Sequence, residues 1–140
     1  MPNILIIEDH GKIRKLLVGA FKGEKYKTCD GTDWKKAVEF LNKNVYDLIV
    51  VDLEVKSQAG FEMLKMIKLT NPNAEIVAIF NPNEYDKNQI IRCGVYDFAL
   101  KPFLLGDVVN IGKKALEKKQ LSDKVRNLEQ IRDMDKFALS

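Results

Sequence analysis

Three separate apolar segments of this chain each end in charged residues that could do chemistry together. Glu8 and Asp9 follow the run at 3–7, Asp52 follows the run at 48–51, and Lys101 follows the run at 95–100. Clustered carboxylates raise one another's pKa unless a cation joins them, and oxygen ligands without histidine or cysteine suit Mg²⁺. A carboxylate can also act as a nucleophile towards phosphorus. If the fold brings these residues together, Asp52 suits a phosphoryl acceptor, Glu8 and Asp9 suit Mg²⁺, and Lys101 suits a phosphate oxygen.

Each of these residues also has a plainer interpretation. An aspartate at a strand end often caps the next loop or helix, and Glu8 and Asp9 could cap the first helix. A lysine before a proline is usually a surface residue. His10, the single histidine of the chain, has no second histidine or cysteine at metal-ligand spacing, so we expect a loop or cap residue. The chemical interpretation therefore depends on whether the strand ends share one location.

Apolar runs and helical spacings alternate five times along the chain. The runs predict strands at 3–8, 26–29, 46–53, 75–80 and 95–100, and the spacings predict helices at 13–23, 33–44, 60–72, 83–94 and from 104 onward. Thr32 or Asp33 is the expected cap of the second helix. This alternation predicts an α/β domain with a doubly wound five-stranded parallel sheet. All strands of such a sheet end at one edge, where ligands bind, so Glu8, Asp9, Asp52 and Lys101 are expected to meet there.

The last helix continues beyond the length that a compact domain needs. Apolar residues keep a three-and-four spacing on both sides of a register break near Lys118, at Val108, Ile111 and Ala115, and then at Leu121, Val125, Leu128 and Ile131. We therefore divide the chain into a domain at 1–118 and a C-terminal helical extension at 119–140. The extension suits either a coiled coil or a helix that folds back on its own domain.

Composition narrows the possible classes of protein. The 140 residues carry a net charge of +3, and from Lys113 onward eight basic residues are interspersed with five acidic ones, so no direct nucleic-acid contact is expected. No apolar run is long enough for a membrane span, and no signal-type segment precedes the first strand, so a cytoplasmic protein is expected. The two cysteines, Cys29 and Cys93, fit no metal spacing.

The motifs IIED at 6–9, VVDLEVKSQAGFEML at 50–64 and GVYDFALKPF at 94–103 together resemble the receiver domain of bacterial two-component response regulators. The resemblance covers about residues 3–118. It implies a flavodoxin-like receiver fold with strand order 2-1-3-4-5, and it implies a signalling protein in which any catalysis is limited to self-catalysed phosphoryl transfer and aspartyl-phosphate hydrolysis.

The resemblance also implies roles for particular residues. Asp52 would take a phosphoryl group from a sensor histidine kinase, and Lys101 would contact that group. Mg²⁺ would be held by Glu8, Asp9 and Asp52 with the carbonyl of Glu54. The Lys101–Pro102 peptide is typically cis in the family, and Phe98 matches its aromatic switch. Homodimers would form through the face of helix four, strand five and helix five, through the C-terminal helix, or through both.

The chain departs from the family pattern at three positions. Phe80 stands where the family has threonine or serine at the end of strand four, Asn81 replaces the small residue that follows, and Lys56 replaces a proline. The acceptor and Mg²⁺ groups are nonetheless complete, which favours a phosphoacceptor with an altered switch, in which Phe80 packs against Phe98. The alternative is an interaction module locked in one conformation that needs no phosphorylation. A phosphatase of another class would need a second aspartate at position 54, where this chain has glutamate.

Overall fold

Five short strands form one parallel sheet in the order β2-β1-β3-β4-β5. The structure is a computed structural model and describes residues 2–24, 26, 28–53 and 60–139. Parallel pairing places Ile7 beside Val51 and Asp52 beside Ile79, so the strand ends are aligned at one edge. This confirms the predicted sheet and strand order. The strands are β1 Asn3–Ile7, β2 Thr28–Thr32, β3 Leu48–Asp52, β4 Glu75–Phe80 and β5 Asp97–Leu100.

Five helices alternate with these strands, and polar side chains cap the N-termini of three of them. His10 accepts from Ile13 N at the start of the first helix, Asp33 accepts from Lys36 N at the second, and Asp86 accepts from Asn88 N at the fourth. The cap predictions for His10 and Asp33 are therefore confirmed. The helices are α1 Gly11–Gly23, α2 Trp34–Lys43, α3 Gly60–Thr70, α4 Lys87–Arg92 and α5 Leu105–Leu139.

Several predicted boundaries differ from the structure by one or two residues, and two differ by three or more. The second strand ends at Thr32 rather than Cys29, because the backbone of the polar residues 30–32 pairs with the buried β1. A Cβ on Gly31 would lie 2.8 Å from Val18, so glycine permits this close approach of α1.

The fourth helix begins at Lys87 rather than at 83. Turns occupy the residues before it, since the backbone carbonyl of Asn81 accepts from Glu84 N at 2.9 Å and Tyr85 N at 3.2 Å.

The sheet is covered on both faces, as the near-continuous apolar strands require. Alternate residues of β1, β3 and β4 point to opposite layers. Leu5, Ile49 and Phe80 belong to the layer with α2, α3 and α4, whereas Ile4, Val50 and Ile79 belong to the layer with α1 and α5. Phe80 is therefore a core residue.

The helix α5 is continuous over 35 residues. Its first part packs on the sheet through Val108, Val109, Ala115 and Leu116, all of which are buried. Lys118 then lies 3.1 Å from Glu75, and Lys119 lies 3.7 Å from Asp47. Later apolar side chains are exposed, at 66% for Leu121, 53% for Val125 and 58% for Leu128. Among the described helices, none combines the length and apolarity needed to cross a membrane.

Candidate functional site

The predicted charged residues meet at the carboxyl edge of the sheet. Asp52 ends β3, Glu8 comes directly after β1, and Lys101 comes directly after β5. Glu8 and Asp52 are only 5% and 6% exposed. Lys101 Nζ lies 2.8 Å from Asp52 Oδ2, and the Lys101 side chain is 19% exposed. The structure thus places a cation against a buried carboxylate at a position that solvent can still reach.

Glu8 and Asp52 form a buried carboxyl pair. Burial, a side-chain hydrogen bond with Asp52 and the charge of Asp52 together raise the pKa of Glu8 to about 8, while Lys101 opposes the shift. A proton held between the two carboxyl groups relieves their repulsion. A divalent cation would relieve the same repulsion, and the oxygen-only donors suit Mg²⁺. The residues therefore fit such an ion.

Asp9 is placed differently from its neighbour Glu8. It is exposed, and its Oδ1 accepts from Trp34 N, the first residue of α2, at 2.8 Å. Within residues 2–24, 26, 28–53 and 60–139, no three histidine, cysteine or acidic residues are grouped closely enough to hold a metal ion. The assignment of Asp9 to Mg²⁺ therefore stays a prediction. Glu54 and Lys56, which were singled out from the sequence, lie outside the described residues.

Sequence reasoning missed two groups that support the site. Arg14 Nη1 donates to the backbone carbonyl of Glu8 at 2.8 Å. The hydroxyl of Tyr85 donates to the carbonyl of Leu53, the residue after Asp52, at 3.1 Å. Arg14 lies in the first turn of α1, six residues after Glu8, and this short separation could have suggested the contact. Tyr85 is 32 residues from Leu53, and no local pattern indicates their contact.

Phe80 occupies the end of β4 beside this site. It is 0% exposed, and its ring centroid lies 5.4 Å from that of Phe98 and 6.1 Å from that of Tyr85. The predicted packing of Phe80 against Phe98 is confirmed. Asn81 Oδ1 accepts from Asn83 N at 2.9 Å and so caps its own turn. Lys101 N donates to the Phe80 carbonyl at 3.0 Å, and the Lys101–Pro102 peptide is cis, as expected.

The model of the response regulator receiver domain family matches residues 4–113. The chain belongs to this family. The receiver is 29% identical over 114 residues to sporulation initiation phosphotransferase F of Bacillus subtilis, covering 81% of this chain and 92% of that protein. It is 30% identical over 132 residues to the nitrogen assimilation regulatory protein NtrX of Azorhizobium caulinodans, covering 92% of this chain and 29% of that protein.

Solved receivers share the fold. The receiver domain of NtrX from Brucella abortus matches with a TM-score of 0.72 at 29% identity, covering 82% of this chain and 98% of that one. This chain spans less than a third of the length of some of its relatives. This receiver spans 28% of the regulatory protein AtoC of Escherichia coli and 29% of the NtrX protein of Azorhizobium caulinodans.

We predict that Glu8 makes receiver stability depend on pH in the absence of metal ions. The folded state keeps the Glu8 proton up to about pH 8, whereas the unfolded state releases it near the ordinary pKa of 4.5. The folded state thus binds more protons between these values, so the free energy of unfolding falls as the pH rises through this interval. Glu8→Gln removes this fall, which is on the order of a few kcal/mol because one pKa unit corresponds to about 1.4 kcal/mol.

The measurement is urea unfolding at pH 5 and pH 8 with a chelator present. Glu8→Gln should gain stability over the wild type at pH 8 and much less at pH 5. Glu39→Gln, at an exposed glutamate of α2, is the control and should follow the wild type. Parallel pH dependence of Glu8→Gln and wild type would show that Glu8 holds no extra proton.

We also predict that Phe80→Thr, which introduces the residue type that the resemblance implies at this position, destabilises this receiver. The ring is fully buried against two others, and truncating such a phenylalanine costs about 3–5 kcal/mol through lost burial and a residual cavity. Phe98→Thr should lower the free energy of unfolding by less, because Phe98 is only half-buried. Urea unfolding of both variants checks this, and a smaller loss at position 80 than at position 98 would contradict a core role for Phe80.

Proposed function

We propose that this chain is a phosphoacceptor receiver that takes a phosphoryl group on Asp52 from a sensor histidine kinase. The observation that carries the proposal is the 2.8 Å contact between Lys101 Nζ and Asp52 Oδ2 beside the buried Glu8. A buried carboxylate with a lysine in contact has the charge arrangement that phosphoryl transfer requires. Family membership supports the same assignment.

The chemistry follows from these positions. An Asp52 carboxylate oxygen attacks phosphorus and forms a new phosphorus–oxygen bond. The bond from phosphorus to the donor nitrogen or oxygen breaks, and its electron pair leaves with the donor. Lys101 remains within reach of the phosphoryl oxygens and balances their charge. Glu8, Asp9, Asp52 and the carbonyl of Glu54 would hold Mg²⁺, which when bound neutralises charge on the phosphoryl group.

The switch of this receiver is proposed to be altered. Phe80 has no hydroxyl with which to contact a phosphoryl group, and its ring contacts Phe98 directly. A change at the acceptor would therefore reach Phe98 through ring packing instead of through a hydroxyl hydrogen bond. The same buried contact also favours a second candidate, a module locked in one conformation that binds partners without phosphorylation.

Asp52→Asn should abolish phosphorylation while leaving the fold intact. Incubation with Mg²⁺ and a small acyl phosphate should add the mass of one phosphoryl group to the wild type, because the donor supplies the group and Asp52 the nucleophile. Intact-mass spectrometry measures the gain. Asp107→Asn, at an exposed position of α5, is the matched control and should be modified like the wild type.

Two results would count against the acceptor assignment. Persistence of the added mass in Asp52→Asn would place the phosphoryl group on another residue. A wild type that gains no mass and binds no Mg²⁺ would favour the locked interaction module.

We further propose that the receiver forms a homodimer, in which the C-terminal extension pairs with its copy in parallel. Leu121, Val125, Leu128 and Ile131, the tail stripe, are more than half exposed in the single chain. Lys124 and Glu129 flank the stripe five residues apart, which is the spacing at which opposite charges pair between parallel helices. Exposed Leu104 and Leu100 near β5 offer a second apolar surface for the same assembly.

Leu128→Lys should weaken self-association, because it places a charge within the paired stripe. Gln130→Lys is the matched control. Gln130 is also exposed, but two residues at about 100° each place it roughly on the opposite side of the helix from Leu128. Sedimentation velocity over a range of concentrations distinguishes the two variants. Equal self-association of Leu128→Lys and wild type would exclude the tail stripe as the dimer contact.

A further inference from the structure

The hydroxyl of Tyr85 joins two backbone groups next to the acceptor strand. It donates to the Leu53 carbonyl at 3.1 Å and accepts from Gly60 N at 2.8 Å. Leu53 directly follows Asp52, and Gly60 is the first residue of α3. Leu53 is 0% exposed and Gly60 is buried. One side chain from the segment between β4 and α4 thus fixes the backbone immediately after the acceptor.

The ring of Tyr85 is held tightly enough to fix the hydroxyl. It contacts Phe61 edge-on at 5.8 Å and Phe80 edge-on at 6.1 Å between centroids. A Cβ on Gly60 would lie 2.9 Å from the Tyr85 oxygen and 3.0 Å from Leu53 Cβ. Position 60 therefore leaves space for the hydroxyl and for no side chain of its own.

The peptide groups around Leu53 are anchored on both sides. Leu53 N donates to the Ile79 carbonyl of β4 at 2.9 Å, and the Leu53 carbonyl accepts from Tyr85. The residue before it, Asp52, pairs with Ile79 in the sheet. Removing the hydroxyl would leave two buried backbone groups without this partner, so the backbone after Asp52 would have to shift to find others.

We propose that Tyr85 is a positioning residue for phosphoryl transfer, which sets the Asp52 carboxylate by holding the Leu53 carbonyl and the Gly60 amide. The inference rests on the proposed role of Asp52 as the acceptor. Catalysis of phosphoryl transfer consists largely of positioning and charge neutralisation, and a small misplacement of a reacting group lowers the rate strongly. Tyr85 thus adds to this site a hydroxyl that acts through its hydrogen bonds to the backbone.

Tyr85→Phe tests this role because it keeps the ring and removes only the hydroxyl. Tyr46→Phe is the matched control. Tyr46 is 1% exposed, donates to Asp30 at 2.8 Å and accepts from Asn44 at 3.2 Å. It lies just before the first residue of β3, whereas Asp52 is the last residue of that strand. Each variant therefore loses two hydrogen bonds at one end of β3, but only Tyr85→Phe loses them beside the acceptor.

The readouts are the initial rate of mass gain with saturating Mg²⁺ and acyl phosphate, the stability in urea and the exchange rate of the Gly60 amide. Tyr85→Phe should lower the phosphorylation rate roughly tenfold or more and should speed exchange at Gly60. Tyr46→Phe should lose stability and keep the wild-type rate. A Tyr85→Phe rate equal to that of the wild type would overturn the proposal, and so would equal slowing of both variants.

A Mg²⁺ titration separates failure of this inference from failure of the proposed function. Trp34 is the single tryptophan of the chain, and its amide is bonded to Asp9, so its fluorescence should report Mg²⁺ binding. If the wild type binds Mg²⁺ but gains no mass, phosphorylation of Asp52 by this donor fails while the metal site stands. The Tyr85 contact then still sets the Asp52 carboxylate if Tyr85→Phe alone weakens Mg²⁺ binding, and it does not if both variants bind Mg²⁺ alike. A wild type that binds no Mg²⁺ and gains no mass overturns both proposals.

Discussion

The burial of Glu8 beside Asp52 is the constraint on which this site depends. Two carboxyl groups that are almost removed from water cannot both carry a charge without a cation or a shared proton. The parallel sheet makes this pairing unavoidable, because β1 and β3 are neighbours and end at the same edge. Lys101 arrives from the end of β5 and supplies one positive charge at 2.8 Å. Burial, together with the hydrogen bond and the charge of Asp52, raises the pKa of Glu8 even with Lys101 present.

A fully apolar contact lies directly beside this charged pair. Phe80 ends the strand next to Asp52, and its ring is enclosed by Tyr85 and Phe98. Interiors of this kind are closely packed and shift between discrete arrangements more readily than they deform. The Phe80 carbonyl also accepts from Lys101 N. A movement of Lys101 towards a new partner would therefore act on the backbone of Phe80 as well as on the ring contact with Phe98.

The sequence was sufficient to predict the sheet and the proximity of Glu8, Asp52 and Lys101, because long apolar runs and charges at strand ends are local signals. It was insufficient for β2, where pairing with β1 overrides the weak strand preference of Asp30 and Gly31. It also gave no sign of Tyr85, whose hydrogen bonds to Leu53 and Gly60 span 32 and 25 residues. Asp9 illustrates a third limit. Its residue type suited a metal ligand, but the described contact is with the Trp34 amide.

The continuous helix α5 links the site edge of the sheet to the exposed tail. Its first turns pack against the sheet through buried residues, and Lys119, only 9% exposed, lies between Asp47 and Asp123 near the opposite edge. These contacts fix the direction in which the helix leaves the domain. The residues beyond Lys119 extend about 30 Å at 1.5 Å each, so a small rotation of α5 against β5 becomes a large displacement at the tail. A change of packing at Phe98 would thus have its largest effect on a partner that contacts the tail stripe, because this part of the helix is farthest from the residues that hold α5 on the domain.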